Sequence, residues 1–313
     1  MRALHVPAAG EKPLVGDLPI PAPGEGTVLV RVLAAGLNPV DNLLASGAMS
    51  GMIPHHYPLV VGRDAAGVVE AVGAGVDHVR PGDRVYGHVL LTPPIHAGTL
   101  AEYAVLPAAG VGLLPDDVDY VTAAAIPLAS AAASAAVDSL GDTVGAGSVV
   151  LVNGASGGVG SFVVQLLAAR QVTVVATGTD AARLRALGAS AVVDHEAGPV
   201  ADQVTALHPG GVDALVNLAG NTVEQVPVGA VRSGGVVAFT TMGPGEDVLA
   251  GMGLVGRKVM AHATREVTAP VVAGVGDGSI QVSIAEVLDL DHAADGLATL
   301  AAGSARGKIV VAL

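Results

Sequence analysis

The chain has 313 residues, of which 51% are hydrophobic and only 2% aromatic, and it contains no cysteine. Its formal net charge of −13 offers no basic surface to nucleic acid or to an anionic membrane, and without thiols it has no disulfides, no thiolate catalysis and no Cys-ligated zinc site. The length suits two domains with aliphatic cores, and the N-terminal residues lack the apolar segment of a signal peptide, so we expect a cytoplasmic protein.

The first third of the chain is predicted to be rich in β-strands. Short runs with β-branched or alternating residues occur at 28–33, 67–72, 84–86 and 102–106, with turn sequences such as PGD at 81–83 between them. Such closely spaced strands predict a small barrel or a partly open sheet. The uncharged stretch 120–137 reaches the length of a membrane span, but its Ala and Ser content and Pro127 favour a buried helix and turn.

From about residue 138 onwards, strands alternate with helices. Strands are predicted at 149–153, 172–176, 191–193, 213–218 and 235–240, and helices at 158–169, 180–187, 199–207 and 222–231. This alternation predicts a parallel sheet covered by helices on both faces. After residue 256 the pattern returns to strands at 258–263, 281–286 and 308–313, with one helix at 291–302, and we expect this part to complete the first domain.

The strongest functional motif is VVLVNGASGGVG at 149–160, in which a buried strand is followed by a glycine-rich turn and a helix. Residues without a Cβ allow backbone amides to close on a ligand, and the start of a helix favours an anion. We therefore predict that the pyrophosphate of a dinucleotide binds to the turn residues Gly154, Ala155, Ser156, Gly157, Gly158, Val159 and Gly160. The spacing is G-x-x-G-x-x-G rather than the standard G-x-G-x-x-G, and the alternative is a closely packed turn that binds nothing.

The end of the second strand of this region bears on the choice of cofactor. NAD-binding folds place an Asp or Glu there to hold the ribose hydroxyls. This chain instead has three residues without charge: Thr177, Gly178 and Thr179. The first acid, Asp180, suits a helix N-cap, whereas Arg183 and Arg185 follow at a distance that suits a 2′-phosphate. We predict NADPH rather than NADH, with Arg183 as the candidate ligand and a solvated helix residue as its alternative.

The ends of the fourth and fifth strands supply further candidates for cofactor binding. Ligands of open α/β sheets bind outside the carboxyl ends of the strands. The residues at these ends are Asn217, Gly220, Thr240 and Met242. We expect backbone and amide contacts with a nicotinamide from this group.

Several blocks, in a fixed order, resemble one family over nearly the full length of the chain. They are LNPVD at 37–41, VGRDAAGVVEAVGAGV at 61–76, PGDRVYG at 81–87, GTLAEY at 98–103, AAIPLA at 124–129, the glycine motif, LGA at 187–189, GGVV at 234–237 and RGKIVV at 306–311. The chain resembles the zinc-independent, quinone oxidoreductase-like branch of the medium-chain dehydrogenase/reductase superfamily.

This resemblance implies an α/β fold with two domains and a cleft between them. A GroES-like β-rich catalytic domain would comprise 1–120 and 260–313, and a Rossmann domain with a doubly wound parallel sheet would comprise 121–259. The resemblance also implies hydride transfer from NADPH, without flavin, to a quinone or an α,β-unsaturated carbonyl. It implies a homodimer as well, and no nucleic-acid or membrane partner is expected.

The resemblance also assigns candidate catalytic residues. Asn38 and Asp41 match an N-x-x-D element near the nicotinamide, with the alternatives that Asn38 is a turn residue before Pro39 and that Asp41 caps a helix. The Cys and His of zinc-dependent relatives correspond to Asn38 and Arg63, which are poor zinc ligands. No ligand set is completed by the loop histidines, His55, His56, His88 and His96, so we expect no metal.

Three positions depart from the pattern of the family. Relatives often carry Tyr, Arg and Thr where this chain has Leu43, Ala45 and Ala132. No residue can be identified as a proton donor, although water could serve in quinone reduction, in which the oxygen anion is stabilised. Two alternatives therefore stay open: an enoyl-thioester reductase, which would need a basic patch for its carrier arm, and a catalytically silent NADPH-binding sensor or partner protein.

Overall fold

The computed structural model describes residues 1–313. The chain divides into two compact units: unit 1 comprises Met1–Ala131 and His262–Leu313, and unit 2 comprises Ala132–Ala261. The first division between the two units lies inside a helix, Pro127–Asp138. None of the helices combines the length and apolar character that a membrane crossing requires.

Sixteen strands and nine α-helices follow one another along the chain. The strands are β1 (Arg2–Val6), β2 (Leu14–Asp17), β3 (Thr27–Gly36), β4 (Leu59–Val60), β5 (Asp64–Val72), β6 (Arg84–His88), β7 (Tyr103–Pro107), β8 (Val111–Leu113), β9 (Val149–Asn153), β10 (Thr173–Thr177), β11 (Ala191–Val193), β12 (Val212–Asn217), β13 (Val231–Phe239), β14 (Val255–Lys258), β15 (Ile284–Asp289) and β16 (Lys308–Ala312). The helices are α1 (Pro39–Ala45), α2 (Tyr120–Ala124), α3 (Pro127–Asp138), α4 (Gly158–Ala169), α5 (Ala181–Ala186), α6 (Val200–Leu207), α7 (Glu246–Gly251), α8 (Arg265–Gly276) and α9 (Ala293–Ala301).

Unit 1 is built on a seven-stranded sheet in the order β15-β16-β3-β5-β6-β8, with β7 also pairing with β3, and on a three-stranded sheet, β2-β1-β4. The long strand β3 alternates buried and more exposed residues over 30–34, which is the pattern of a sheet with one face on the core. The last strand, β16, pairs antiparallel with β3. The C-terminal residues therefore complete the first unit, as the sequence predicts.

Unit 2 contains one six-stranded parallel sheet in the order β11-β10-β9-β12-β13-β14. Its central strands β9 and β12 are apolar almost throughout, because helices cover a parallel sheet on both faces. The strand order reverses at β9, which has β10 on one side and β12 on the other. Ligands of doubly wound sheets bind at such a switch point, and here it coincides with the glycine-rich turn after β9.

Two predictions of secondary structure are wrong, and both involve proline. The predicted helix 222–231 is absent: a short 3₁₀ turn covers Val228–Ala230 and β13 begins at Val231, because Pro227 has no N–H to donate in a helix interior. Helix α8 was not predicted, since its sequence REVTAPVVAGVG contains Pro270 and several residues of low helix propensity. Its burial of Thr268, Val271 and Val272 shows that tertiary packing overrides that propensity.

Two predicted strands near the C-terminus are also displaced. The strand expected at 258–263 ends at Lys258, where β14 stops, and the strand expected at 281–286 lies at Ile284–Asp289. Strands β1, β2, β4 and β8 were not identified from the sequence. Most of them are short, so the local pattern alone is weak.

Candidate functional site

Three of the four glycines in the motif after β9 have different physical roles. Gly154 adopts a positive φ of 82°, which a side chain would disfavour. A Cβ on Gly160 would lie 2.3 Å from the carbonyl oxygen of Gly154, so close packing of α4 on the turn requires a glycine there. A Cβ on Gly157 would meet only the Gly154 oxygen, at 3.4 Å. The chain's own packing therefore does not require Gly157, and the open space beside it fits a ligand that approaches the backbone.

The first turn of α4 lies next to this open space. Gly157 is the N-cap, with extended backbone, and the helix begins at Gly158. The N–H groups of a helix's first residues have no acceptor within the helix and carry the positive end of its dipole. The N–H groups of Gly158, Val159 and Gly160 thus form a cradle of backbone donors that suits an anionic group, whereas Gly154 and Gly157 donate their N–H groups within the chain.

Hydrogen bonds between polar side chains connect the carboxyl ends of four neighbouring strands of unit 2. Thr177 Oγ1 accepts the N–H of Gly154 at 2.8 Å, and Asn153 Nδ2 donates to Asn217 Oδ1, also at 2.8 Å. Asn217 Nδ2 in turn donates to Thr241 Oγ1 at 3.2 Å. Thr177, Asn153, Asn217 and Thr241 therefore fix the loops at the switch point relative to one another.

Asn153 is not among the residues predicted from the sequence, which include Thr177, Asn217 and the range 240–243 that contains Thr241. The available signal was the position of Asn153, which ends an otherwise apolar strand just as Asn217 does, and the two are paired residues in the sheet register. Asn217 Nδ2 also lies 3.4 Å from the carbonyl oxygen of Gly220. The other two candidates at this edge, Thr240 and Met242, are exposed, Met242 by 81%.

Arg183 is held against the glycine-rich turn. Its Nη2 donates to the carbonyl oxygen of Ser156 at 2.8 Å, although α5, which carries it, follows a different strand. The Asp180 carboxylate accepts the N–H of Arg183 at 3.0 Å, so Asp180 is the N-cap of α5. Gly178 lies so close to Ser156 that a Cβ would come within 2.3 Å of its Oγ.

These contacts bring together the end of β10, Arg183 and the anion cradle. The two other residues predicted near them, Thr179 and Arg185, are exposed at the surface.

A second polar cluster lies in unit 1 and includes the predicted catalytic residues. Asn38 is buried and precedes α1, and its backbone N–H donates to Asp41 Oδ2 at 2.8 Å, which is a helix-capping contact. The Asn38 amide is engaged at both ends: Nδ2 donates to Asp64 Oδ2 at 2.9 Å, and Oδ1 accepts from Lys308 Nζ at 2.5 Å. Asn38 is therefore the link between α1, β5 and β16.

Asp64 is the centre of this cluster and is completely buried. Besides Asn38 it accepts from His88 Nδ1 at 2.7 Å and from the N–H of Leu128 at 3.2 Å, and its Oδ2 lies 3.6 Å from Lys308 Nζ. Burial alone would raise the pKa of Asp64, but the His88 hydrogen bond and the Lys308 charge outweigh burial and lower it. Asp64 is therefore a carboxylate with a full set of donors.

Asp41 and Arg63 add further buried charge. Burial raises the pKa of Asp41 to about 6, against the opposing charge of Arg63. Arg63 is 1% exposed and donates from Nη2 to the carbonyl oxygen of Ala97 at 2.7 Å. Asp41 Oδ1 and Arg63 Nε have no hydrogen-bond partner in the chain.

The chemistry of this cluster does not fit zinc. No group of three or more His, Cys, Asp or Glu side chains is arranged to hold a metal ion. An amide and a guanidinium, from Asn38 and Arg63, replace the thiolate and imidazole of zinc-dependent relatives, and the ammonium of Lys308 occupies the Asn38 oxygen. The two buried cations would repel a divalent ion.

The three departures from the family pattern differ in environment. Leu43 is 47% exposed on α1, whereas Ala45 and Ala132 are buried. The structure thus leaves an apolar side chain at the surface where relatives often have a tyrosine.

Comparisons with known proteins identify the class of both units. Residues 24–116 match the family described as "Alcohol dehydrogenase GroES-like domain", and residues 187–311 match "Zinc-binding dehydrogenase". This combination defines a dehydrogenase/reductase with a GroES-like unit and a dinucleotide-binding unit.

Curated relatives indicate which kind of dehydrogenase/reductase the chain is similar to. The chain is 30% identical to a quinone oxidoreductase of Sus scrofa over 90% of this chain and 87% of the relative. It is 31% identical to an NADPH-dependent alkenal/one oxidoreductase of Arabidopsis thaliana, over 95% of this chain and 75% of the relative. It is 33% identical to the human mitochondrial NAD(P)H oxidoreductase RTN4IP1, but there the match covers 69% of this chain and 58% of the relative.

Solved structures agree with this placement. A mycobacterial protein, Rv1454c, complexed with NADPH superimposes with a TM-score of 0.84 at 26% identity over the whole of both chains. A protein described as an NAD-dependent alcohol dehydrogenase gives 0.86 at 30% identity, again over both whole chains. The chain belongs to the quinone oxidoreductase-like family of the medium-chain dehydrogenase/reductase superfamily, and the predicted family and fold class are confirmed.

Proposed function

We propose that this protein is an NADPH-dependent reductase of quinones or α,β-unsaturated carbonyls that works without zinc or flavin. The observation that carries the proposal is the cradle at Gly157, which is open on the ligand side and is joined to Arg183 and to the fixed strand ends of unit 2. The relatives named as quinone and alkenal/one oxidoreductases support the acceptor class and the cofactor. When bound, NADPH supplies a hydride from C4 of its nicotinamide.

The residues of unit 2 bind and orient this cofactor. The N–H groups at the start of α4 hold the pyrophosphate, and Arg183, already anchored on Ser156, carries the charge that a 2′-phosphate requires. Asn217 has both ends of its amide engaged within the chain, so it positions the loops at Gly220 and Thr240 rather than binding the nicotinamide itself. The nicotinamide contacts then come from the backbone of those loops.

The donors in unit 1 support the proposal that the enzyme requires no zinc. A Lewis acid would have to bind where Asn38 already accepts from Lys308 and where Arg63 is buried. We therefore expect chelators to leave turnover unchanged and metal analysis of the active protein to find less than about one zinc per ten chains, since the site lacks the three protein ligands a catalytic zinc needs.

The test is a titration of the purified protein with NADPH and NADH, followed by 340 nm absorbance after addition of a para-quinone, an enone and an enoyl-CoA. Oxidation of NADPH with the first two acceptors is the expected result. Preference for the enoyl-CoA would identify an enoyl-thioester reductase. Tight binding without oxidation of any acceptor would refute the reductase and support a nucleotide sensor.

The proposed preference for NADPH over NADH is tested by a separate experiment. Replacing Arg183 and Arg185 together with methionine should weaken NADPH at least tenfold while NADH changes less than about twofold, because only NADPH carries the 2′-phosphate. Equal losses for both nucleotides would mean that neither arginine contacts the phosphate.

We also propose a homodimer and a cytoplasmic location. The edge strand β14 has a free side in the six-stranded sheet, which leaves its backbone groups available to a second copy. Light scattering after gel filtration measures the mass, and a monomer would refute the dimer. Fractionation of cells that express the full-length protein tests the location, with an organelle as the alternative.

A further inference from the structure

His88 has the geometry of a histidine that transfers a proton. It ends β6 directly opposite Asp64 on β5, and only 6% of its side chain is exposed. Asp64 is an ionised carboxylate without a proton to donate, so the 2.7 Å contact is donated by His88 Nδ1. The neutral ring then keeps its lone pair on Nε2, and the protonated ring carries an N–H there.

The second ring nitrogen is the reactive one. Nε2 makes no hydrogen bond within the chain. If it were fully buried, it would be a buried polar atom without a partner, and it is not one. The small exposed part of the ring therefore includes this nitrogen. Proteins prepare a histidine as a general acid or base in this way: a carboxylate orients one imidazole nitrogen, and the other nitrogen faces outward. Asp64 does not need the His88 hydrogen bond to be satisfied, since it already has donors from Asn38, Leu128 and Lys308.

The network connects His88 to the predicted catalytic residue. Asp64 Oδ1 accepts from His88 while Asp64 Oδ2 accepts from Asn38 Nδ2, so one carboxylate separates the two side chains. The other charged groups of the cluster are Lys308 on β16, Arg63 beside β5 and Asp41 on α1, and β8, the other neighbour of β6, carries no titratable residue.

We propose that His88 is the proton donor of the reductase and that Asp64 is its positioning residue, an inference that rests on the proposed function. For an α,β-unsaturated carbonyl, the hydride adds to the β-carbon and the π electrons move to the carbonyl oxygen. The Nε2–H bond of protonated His88 breaks as the proton moves to that oxygen, or to the α-carbon, and the neutral ring regains a proton from water. The acceptor gains one hydride and one proton, and NADPH leaves as NADP⁺.

This role distinguishes the two acceptor classes. The enolate left by an enone is a strong base that needs a positioned acid, whereas a hydroquinone anion is stabilised and takes its proton from water. A general acid contributes about 10²–10⁴-fold. Replacing His88 with glutamine, which can still donate to Asp64 but cannot release a proton, should lower enone kcat/KM by at least about 100-fold and quinone kcat/KM by less than about tenfold.

The matched control is His96→Gln, since His96 is an exposed loop histidine whose ring makes one hydrogen bond, from Nδ1 to the carbonyl oxygen of Pro94 at 3.1 Å. It should leave both activities unchanged. NADPH affinity should be the same in all three proteins, which shows that unit 2 is folded, and unchanged tyrosine fluorescence should show that unit 1 is folded, since all four tyrosines lie there.

A readout that needs neither cofactor nor turnover is the ¹⁵N spectrum of the imidazole rings, in which the His88 signals are those missing from His88→Gln. We expect the neutral ring to carry its proton on Nδ1, the nitrogen that faces Asp64. The opposite tautomer would overturn the proposal.

The kinetic outcomes separate the two hypotheses. If wild type oxidises NADPH with no quinone or enone, the proposed function and this inference both fail. If wild type reduces enones and His88→Gln retains kcat/KM within about threefold, only the role of His88 is refuted.

Discussion

Replacing Asp41 with asparagine should stabilise the protein at neutral pH. The carboxyl group is completely buried, and burial raises its pKa from 3.8 to about 6. Between these two pH values the folded state binds more protons than the unfolded state. The stability that protonated Asp41 contributes is therefore complete below the pKa of the unfolded state and is lost as the pH rises through the pKa of the folded state. A shift of about two units corresponds to about 3 kcal/mol at 1.36 kcal/mol per unit.

The assay can be confined to the unit that contains Asp41. The chain has no tryptophan, and all four tyrosines lie in unit 1: Tyr57, Tyr86, Tyr103 and Tyr120. Tyrosine fluorescence in urea therefore reports the unfolding of unit 1. The difference in unfolding free energy, variant minus wild type, should grow by about 2 kcal/mol between about pH 4.5 and pH 7.5, because most of the titration of the buried carboxyl falls in that window.

The difference between the two proteins cancels every other titrating group, which makes the test specific. Asparagine keeps an oxygen for the N–H of Asn38, and its amide nitrogen can occupy the place of Asp41 Oδ1, which has no partner. A difference that stays constant across this pH range would refute the reasoning, since it would show that Asp41 titrates alike in both states.

Three further changes probe the cradle, the buried ion cluster and the strand ends. Gly157→Val should abolish NADPH binding without lowering the melting temperature. Gly160→Val should instead destabilise unit 2, because its Cβ would lie 2.3 Å from backbone. Binding titrations and calorimetry on the same samples distinguish these two effects. Lys308→Met should lower the free energy of urea unfolding by about 3–5 kcal/mol, as removal of one partner from a buried ion pair does, and Lys12→Met at the surface should leave it unchanged. A loss below about 1 kcal/mol for Lys308→Met would show that the pair contributes little. Asn153→Ala should cost about 1–3 kcal/mol, because it leaves a buried amide oxygen without its donor, and an unchanged unfolding curve would mean that water replaces it.

The fold of unit 2 was largely predictable from the sequence. Its strands are buried on both faces and read as continuous apolar runs, and its helices begin at recognisable residues such as Asp180. The errors arose where packing decides: α8 forms despite Pro270, and β13 begins at Val231, where periodicity suggested a helix. In both places, contacts made by distant residues outweigh local preference.

The site was predictable to the extent that it is local. The glycine-rich turn is one contiguous motif, so Gly157 and its neighbours could be named directly. The cluster around Asp64 could not, because it joins residues such as Asn38 and Lys308 that are 270 positions apart. A lysine in the apolar strand KIVVA was a visible anomaly, but its partners become known only from the sheet order β16-β3-β5.

That long separation bears on the order in which the molecule can form during synthesis. All of unit 2 is a continuous insertion, so the ribosome can release a complete nucleotide-binding unit while unit 1 still lacks His262–Leu313. Until β16 emerges, the Ala34–Gly36 end of β3 is unpaired along one edge and Asp64 has no ammonium near it. The chain therefore gains its cradle for the nucleotide before it gains its proton-handling cluster, and a nascent chain stalled in its last segment could sequester a nucleotide without yet turning it over.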